Sequence, residues 1–252
     1  MHSAIRILFV SVALAALVSC KFMDIGVGNN VSVDTEIDTG MFDSISDRCS
    51  LNIIYTQTEG EPCVVLTCDE NLVGCYDIRV EDGTLVVDTK DNVMFRTKVK
   101  SYVTVSSPSL EGISVSGSGN CQVTGPLASD VDVNFKVSGS GGIQANGPVE
   151  CRAFSSTISG SGSIRLCGVL ADVATFKGSG SGSTRVELLT ADSVSATLSG
   201  SGGVHLVCKD AGDIDVSISG SGSVHLSGNA RSLNSRSSGS GRVNSKNLTL
   251  GE

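Results

Sequence analysis

Apolar and polar residues alternate through the second half of the chain in a pattern that repeats. In the segment Thr157–Leu166, the apolar residues and both glycines hold one set of alternate positions, and the serines and Arg165 hold the other. Because successive side chains of a strand face opposite sides, this alternation predicts strands with apolar residues and glycine inside and serine outside. The residues predicted to be buried are Ile158, Ile164, Leu166, Leu198, Val204, Leu206, Ile218, Val224 and Leu226, and those predicted to be exposed are Ser159, Arg165, Ser199, His205, Ser219 and His225.

The repeat is marked by a Ser-Gly-Ser-Gly element that recurs seven times between Ser116 and Gly241, at steps that fall from 22 to 19 residues. A fixed period near 20 residues is the signature of a solenoid, in which each repeat forms one coil. A second apolar strand, such as Val131–Val137, precedes each element. The sequence therefore predicts an all-β fold, a parallel β-helix-like solenoid of about seven coils, each with two apolar strands joined by a Gly-Ser bend.

Two segments depart from the regular repeat. Phe176–Gly182 carries one extra Gly-Ser pair, interpreted as a two-residue insertion that preserves the side each residue faces. Residues 41–110 lack the element but contain short strand candidates separated by turn signals such as Asp82-Gly83. They predict a small antiparallel β cap that protects the first coil. Its strand candidates are Leu51–Tyr55, Cys63–Thr67, Asp77–Val80, Leu85–Asp88 and Val99–Val105.

The first twenty residues are typical of a lipoprotein export signal. Arg6 precedes an apolar stretch, Ile7–Val18, that is too short to span a bilayer. The stretch runs into Leu17-Val18-Ser19-Cys20, which resembles a bacterial lipobox, where cleavage precedes a cysteine that then receives lipid. More than one acyl chain gives stable anchoring. We expect a signal peptide over 1–19, lipid on Cys20, a tether over 20–40, the cap over 41–110, the solenoid over 111–252, and a location in the outer membrane of the cell envelope.

Composition narrows the classes of partner. A net charge of −8 and a pI of about 4.9 argue against nucleic-acid binding, which needs a basic surface. Once Cys20 is set aside, eight cysteines remain, and export permits disulfides. The candidates for pairing are Cys49, Cys63, Cys68 and Cys75, with the connectivity left open. Cys121 holds an inward position and is interpreted as a small buried apolar residue. We expect no cofactor and no metal.

Several segments together resemble a known family. They are Phe42–Ile45, Leu51–Gln57, Gly83–Val87 and, most specifically, Val103–Gly119 (VTVSSPSLEGISVSGSG). With the lipobox and the Gly-Ser coils, the chain looks like a lipoprotein of the auto-transporter adhesin, head GIN domain family, common in gut-type Gram-negative bacteria. The resemblance implies a β-helix-like solenoid in the envelope and no catalytic residues. The cysteines depart from the simplest family pattern.

The alternation also places outward residues of successive coils in columns. One column carries four basic or potentially basic residues, Arg165, Arg185, His205 and His225, between Gln122, Gln144 and Asn244. A second consists of the bend serines, whose candidate binding members are Ser159, Ser161, Ser199, Ser201, Ser219 and Ser221. A third is acidic, formed by Asp130, Glu150, Asp172, Asp192 and Asp213. Each column is equally consistent with a solvated face, and the acids with turn residues that bond their own backbone.

These features favour a non-catalytic, adhesin-like surface-binding module that is anchored to the membrane through lipid, with glycans or another surface protein as candidate partners. Protonation of the two histidines below about pH 6.5 is expected to strengthen anion binding. Two alternatives stay open: a structural envelope protein without a small ligand, and a polysaccharide-acting β-helix enzyme. Asp43-Ser44-Ile45 and Asp192-Ser193-Val194 match a bacterial O-glycosylation sequon, which makes Ser44 and Ser193 candidate glycosylation sites.

Overall fold

The structure is a computed structural model that describes residues 25–91 and 93–251. It confirms an all-β fold built on a β-solenoid of about seven coils. Its first strands are β1 (Ile25–Val27), β2 (Ser32–Glu36), β3 (Ser44–Asp47), β4 (Asn52–Gln57), β5 (Cys63–Asp69), β6 (Tyr76–Glu81), β7 (Thr84–Thr89), β8 (Met94–Arg96) and β9 (Tyr102–Ser107). A 3₁₀ helix, Glu70–Cys75, links β5 to β6.

The remaining strands form the coils. They are β10 (Gly112–Val115), β11 (Asn120–Val123), β12 (Leu127–Ala128), β13 (Val133–Val137), β14 (Gly142–Glu150), β15 (Ala153–Ile158), β16 (Ser163–Leu170), β17 (Val173–Gly178), β18 (Ser183–Leu198), β19 (Gly203–Ile218), β20 (Ser223–Ser237) and β21 (Arg242–Leu250). Strands β18 to β20 are long because each continues around a corner of the coil.

Parallel pairing builds two walls. The front wall contains β4, β11, β14, β16, the first halves of β18, β19 and β20, and β21. The back wall contains β3, β10, β13, β15, β17 and the second halves of β18, β19 and β20, at 193–198, 213–218 and 232–237. The apolar core fills the space between the walls.

Burial follows the predicted alternation. All nine residues predicted to face inward are buried, and Ser159, Arg165, Ser199 and Ser219 are exposed. Cys121 is fully buried in an inward column that continues through Ile143 and Ile164, which confirms its apolar interpretation. His205 and His225 differ from the prediction because they are half-buried, and the cause is their contact with each other, described below.

Glycine allows adjacent coils to approach at the bends. The Gly160 carbonyl accepts two backbone N–H groups from the next coil, those of Ser181 and Gly182, each at 3.1 Å. The Gly180 carbonyl accepts the corresponding pair, Ser201 and Gly202, at 3.0 Å. A Cβ atom at Gly180 would overlap the Gly160 carbonyl oxygen, so no side chain fits at this position. The repeated glycine is therefore required by backbone contact between coils.

Two sequence interpretations of the repeat are wrong. Gly178 does not belong to an insertion, because it aligns with Ile158 on one side and Leu198 on the other. It replaces an apolar residue of the column, and the Leu198 side chain occupies the space in which a Gly178 side chain would begin. Val131 is not an inward strand residue: β13 begins at Val133, and Val131 is 39% exposed at the corner before it.

The cap combines parallel and antiparallel pairing. Its five strand candidates correspond to β4, β5, β6, β7 and β9. The predicted antiparallel pairing holds for β2 with β5, β5 with β9, and β6 with β7. In contrast, β3 pairs in parallel with β7 and β10, and β4 pairs in parallel with β9 and β11. The sheet is therefore continuous across the domain boundary expected near residue 110.

Residues assigned to a tether are part of the fold. Within the expected 20–40 segment, β1 pairs with β8 and β2 pairs with β5. The solvent-inaccessible Asp69 fixes this segment because its carboxylate accepts the backbone N–H groups of Asn30, Lys98 and Val99 at 2.8–3.2 Å. Burial alone would raise the pKa of Asp69, but these hydrogen bonds outweigh it and hold the pKa below its usual value. The expected signal peptide, 1–19, and Cys20 lie outside the described residues.

Cysteine pairing does not follow the prediction. All eight cysteines from Cys49 to Cys208 are unpaired in the part of the chain that the structure describes. Cys63 is exposed and Cys68 is buried, because their odd separation along β5 turns them to opposite faces of the sheet. In residues 25–91 and 93–251, no helix has both the length and the apolar character needed to cross a membrane.

A buried carboxyl group is strained electrostatically in the first coil. Asp47 faces inward beside Val87 and Val115 and is inaccessible to solvent. Its Oδ1 accepts the Cys49 backbone N–H at 3.0 Å, whereas its Oδ2 has no hydrogen-bond partner. Burial, assisted by the negative charge of Asp88 and opposed by the Cys49 hydrogen bonds, raises the pKa of Asp47 from 3.8 to about 6. The folded state therefore holds this proton at a pH where the unfolded chain has lost it.

We expect Asp47→Asn to stabilise the protein at neutral pH. Wild-type stability should fall as the pH rises from about 4 to about 6, since the folded state binds more protons than the unfolded state over that range. Removing the ionisation should raise the free energy of unfolding by about 2 kcal/mol at pH 7 and change it little near pH 4. Urea unfolding of both proteins at the two pH values measures the difference, and an equal effect at both would contradict the raised pKa.

Candidate functional site

Four cationic or titratable side chains form a continuous row on the outer face of the front wall. Pairing is in register from Gln144 to Arg165, Arg165 to Arg185, Arg185 to His205, and His205 to His225. We call Arg165, Arg185, His205 and His225 the basic row. Gln122 and Gln144 extend it at one end and Asn244 at the other, as the sequence predicted. Strands β16, β18, β19 and β20 each supply one member, so the fold holds the row rigidly.

The two arginines of the basic row have no acidic partner. Every salt bridge among the described residues involves other cations: Arg48, Arg79, Arg152, Lys209 and Arg231. The acid two residues from Arg185 on the same strand, Glu187, pairs with Lys209 at 3.2 Å. Side chains of like charge on neighbouring strands repel each other. Arg165 and Arg185 therefore present uncompensated positive charge on a chain with a net charge of −8.

The two histidines of the basic row stack face to face. Their ring centroids are 4.5 Å apart and their planes differ by 3°. Burial lowers the pKa of His205, and the neighbouring His225 and Arg185 lower it further. The expected protonation of both rings below about pH 6.5 is therefore corrected for His205, which gains its proton only at a lower pH. At neutral pH this end of the row offers an imidazole stack beside the Arg185 guanidinium.

A second outward row beside the basic row was missed by the sequence reasoning. It lies two residues earlier on each strand and contains Ser163, Ser183, Gly203 and Ser223 in register. Small residues here leave open space: a Cβ on Gly203 would lie 3.8 Å from His205 Nε2. The signal was present in the sequence as the residue two positions before each basic residue. A shallow groove of ≈ 220 Å³ is lined by Arg185, His205, His225, Asn244 and their neighbours.

The candidate serines of the Gly-Ser bends are exposed but lie farther from the row. Ser161, Ser201 and Ser221 precede the small-residue strip by two positions, and Ser159, Ser199 and Ser219 precede it by four. None of these six hydroxyl groups makes a hydrogen bond within the described residues. Their hydroxyls are therefore available to solvent or to a ligand that extends from the basic row around the bend.

The acidic column predicted from the sequence does not exist as one column. Asp172 and Asp192 are neighbours, but Asp213 pairs with Ser193, and Glu150 pairs with Leu170. The cause is irregular register at the coil corners, where shifts occur between Ala145 and Pro148 and between Leu166 and Val169. Within residues 25–91 and 93–251, no group of three or more His, Cys, Asp or Glu side chains is placed to hold a metal ion.

The candidate glycosylation sites differ in accessibility. Ser193 is exposed on β18. Ser44 is half-buried on β3, and its hydroxyl donates to the Asp43 carboxylate at 3.0 Å. Of the two predictions, only Ser193 presents a hydroxyl that is free of such a bond. Modification of either residue stays a prediction.

The largest cleft lies on the cap. It has a volume of ≈ 600 Å³, and its lining includes Cys49, Tyr76, Met94, Phe95 and Arg96. Tyr76 and Phe95 meet edge to face with centroids 5.1 Å apart. Burial raises the pKa of Cys49 to about 12, so its thiol stays protonated at neutral pH and is a poor nucleophile. The cleft therefore offers an apolar and aromatic surface with one guanidinium group, and no activated cysteine.

Comparison with solved structures supports the fold throughout the described chain. A protein from Parabacteroides distasonis named "Putative lipid binding protein" is 25% identical over 86% of this chain and 98% of its own, with a TM-score of 0.72. A "putative adhesin" from Bacteroides fragilis is 23% identical over 86% of this chain and 98% of its own, with a TM-score of 0.75. A third, a "putative adhesin" from Parabacteroides merdae, has 21% identity, coverages of 86% and 97%, and a TM-score of 0.71.

No curated protein matches the chain. A family model matches residues 41–211, which is well over half of the sequence and spans the cap and most of the coils. The adhesin description of this family indicates a protein of the cell surface or envelope. The chain belongs to the family described as "Putative auto-transporter adhesin, head GIN domain".

Proposed function

We propose that this protein is a lipid-anchored, non-catalytic binding module of the cell envelope that captures acidic glycans on the basic row. The observation that carries the proposal is the pair of outward guanidinium groups, Arg165 and Arg185, stacked on neighbouring strands without an acidic partner. The planar guanidinium group matches carboxylate and sulfate groups with two parallel hydrogen bonds. An anionic ligand that bridges both arginines would relieve their mutual repulsion.

The spacing of the row favours a polyanion over a single small anion. Neighbouring strands of a sheet lie about 4.8 Å apart, so the four members span about 14 Å. A chain with closely spaced negative groups can contact several members at once, and each contact then adds to the affinity. The small residues at Ser163, Ser183, Gly203 and Ser223 leave room for sugar rings beside the row. The groove is shallow and open, which fits a polymer that lies along the surface.

Lipid attachment at Cys20 is part of the proposal and rests on the lipobox match. It would hold the protein at the membrane while the front wall faces outward. A lipidated N-terminal peptide that begins at Cys20, found by mass spectrometry of the membrane fraction, supports the anchor. An unmodified Cys20 after cleavage would remove the anchor from the proposal and leave the binding face unaffected.

Removal of both guanidinium groups should weaken glycan binding strongly. A glycan array with the soluble protein identifies the best acidic ligand, and the affinity of that ligand is then compared for wild type and Arg165→Ala/Arg185→Ala. We expect a loss of about tenfold or more, since hydrogen bonds to charged groups contribute about 1.5–3 kcal/mol each. Wild-type binding should also fall with salt, because the row is exposed and screened.

A matched control separates local from global charge. Lys136→Ala/Lys177→Ala removes two exposed cations from the outer face of the back wall and changes the net charge equally. This control should bind as wild type does. Equal loss in both double variants would show a non-specific charge effect, and no acidic ligand on the array would favour the alternative of a structural envelope protein.

A further inference from the structure

The two ends of the solenoid carry opposite charge. From Ser223 to Gly251 the chain contains Arg231, Arg236, Arg242 and Lys246, and no Asp or Glu. In residues 25–111, acidic residues outnumber basic ones by more than two to one. The acidic character of the protein is therefore concentrated at the cap, and its last coil is basic.

The basic end presents two strand edges. In the part of the chain that the structure describes, β21 pairs only with β20, and the segment 232–237 of β20 pairs only with β19. Arg236, Arg242 and Lys246 are exposed at these edges and form no salt bridge there. Leu233, Val243 and Leu248 pack partly against the core, so the inner faces of the edge strands are apolar.

The acidic end also presents two strand edges, one on each wall. Among the described strands, β2 pairs only with β5, and β6 pairs only with β7. Asp34 and Glu36 are exposed on β2, whereas Asp77 and Glu81 lie on β6. The inner side of β6 supplies Ile78 and Val80, which pack partly against the core. Each acidic edge therefore combines charge outside with apolar contact inside.

Strand directions allow these edges to meet in a coaxial stack. β2 is antiparallel to β5, which is antiparallel to β9, so β2 runs in the same direction as the front wall. β6 is antiparallel to β7 and therefore runs opposite to the back wall. If one copy is placed on the end of another along the solenoid axis, β21 meets β2 in parallel and segment 232–237 meets β6 in antiparallel orientation. Both are regular sheet pairings.

We propose that copies of this chain associate head to tail, with the basic last coil of one copy docked on the acidic cap of the next. Arg242 on the outer face of β21 would face the Asp34 and Glu36 side of β2, so opposite charges lie across the new strand pair. A two-fold pairing of β21 with its own copy would instead bring Arg242 and Lys246 of both copies together, and their repulsion disfavours it. The contact joins two different surfaces, so it can repeat along a row.

Sedimentation velocity tests the proposal on the chain from residue 21 onward, which keeps every described residue. At about 0.01 M salt, where the Debye length is about 30 Å, the sedimentation coefficient of wild type should rise with protein concentration, and this rise should disappear at about 1 M salt. A wild type that remains monomeric at every concentration at low salt overturns the proposal. This experiment does not involve a glycan, so its outcome is independent of the basic row.

Charge reversal identifies the surfaces. Arg242→Glu/Lys246→Glu and Asp34→Lys/Glu36→Lys should each abolish association, because each places like charges across the contact. The variant that carries all four substitutions should recover it. Lys136→Glu/Lys177→Glu, which changes the net charge as the first pair does but lies in the middle of the back wall, should associate as wild type does. Loss of association in this control, or no recovery in a fourfold variant whose circular dichroism matches wild type, overturns the proposal.

Discussion

Replacement of Gly180 with alanine is expected to lower the free energy of unfolding by about 3 kcal/mol, which is large for a single methyl group. The added Cβ would overlap the Gly160 carbonyl oxygen, and that oxygen accepts the N–H groups of Ser181 and Gly182. Both sides of the contact are backbone, so no side chain can rotate away. Relief of the overlap requires the coils to separate and both hydrogen bonds to lengthen. Urea unfolding of the two proteins measures the loss.

The neighbouring residue provides the control. Ser181→Ala removes an exposed hydroxyl from the same bend and should change the stability by less than about 0.5 kcal/mol. If Gly180→Ala is as stable as Ser181→Ala, the coils do not approach at this bend as the structure shows.

The substitution Val204→Asp is expected to cost more than about 4 kcal/mol, a large fraction of the stability of a typical domain. Val204 is 2% exposed in the inward column between Thr184 and Val224. A carboxyl group there loses its hydration, and the adjacent column offers it no cation. It must either fold protonated or force the walls apart. Loss of the sharp thermal transition at neutral pH, with partial recovery at acidic pH, is the expected result.

Val207→Asp separates burial from the choice of residue. Val207 lies on the same strand, three positions later, and is 42% exposed on the outer face. The new carboxylate would lie beside Glu187, but solvent screens that repulsion, so we expect a cost of about 1 kcal/mol. Similar costs for the two variants would mean that the assignment of inner and outer faces is incorrect.

The regular part of the fold was predictable because its two determinants are local. The inward or outward direction of a strand residue depends only on its place in the alternation, so Ile164 and Arg165 could be assigned without knowledge of the fold. The period of about 20 residues then placed Arg165, Arg185, His205 and His225 on successive coils. Parallel pairing kept them in register, and the row therefore appears in the structure as it did in the sequence.

The predictions failed where register or long-range contact decides. The acidic column depended on equal spacing through the coil corners, but bulges near Pro148 and Val169 shift the register there, and a shift of one residue turns a side chain to the other face. Asp69 recruits the segment before β2 into the cap through bonds across about 40 positions of sequence, which no local pattern reveals. The stacking of His205 and His225 depends on side-chain rotation, and the sequence gives no information on that.

The bend geometry makes the length of this protein adjustable in whole coils. The bends at Gly200 and Gly220 have the same backbone contacts to the coil before and to the coil after. Excision of residues 201–220 would join Gly200 to Ser221 and restore an uninterrupted Ser-Gly-Ser-Gly sequence. Duplication of the same twenty residues would add one rung of about 4.8 Å. Recombination between repeats could thus lengthen or shorten the outer surface, one side chain at a time, while the apolar interior and both ends of the molecule stay intact.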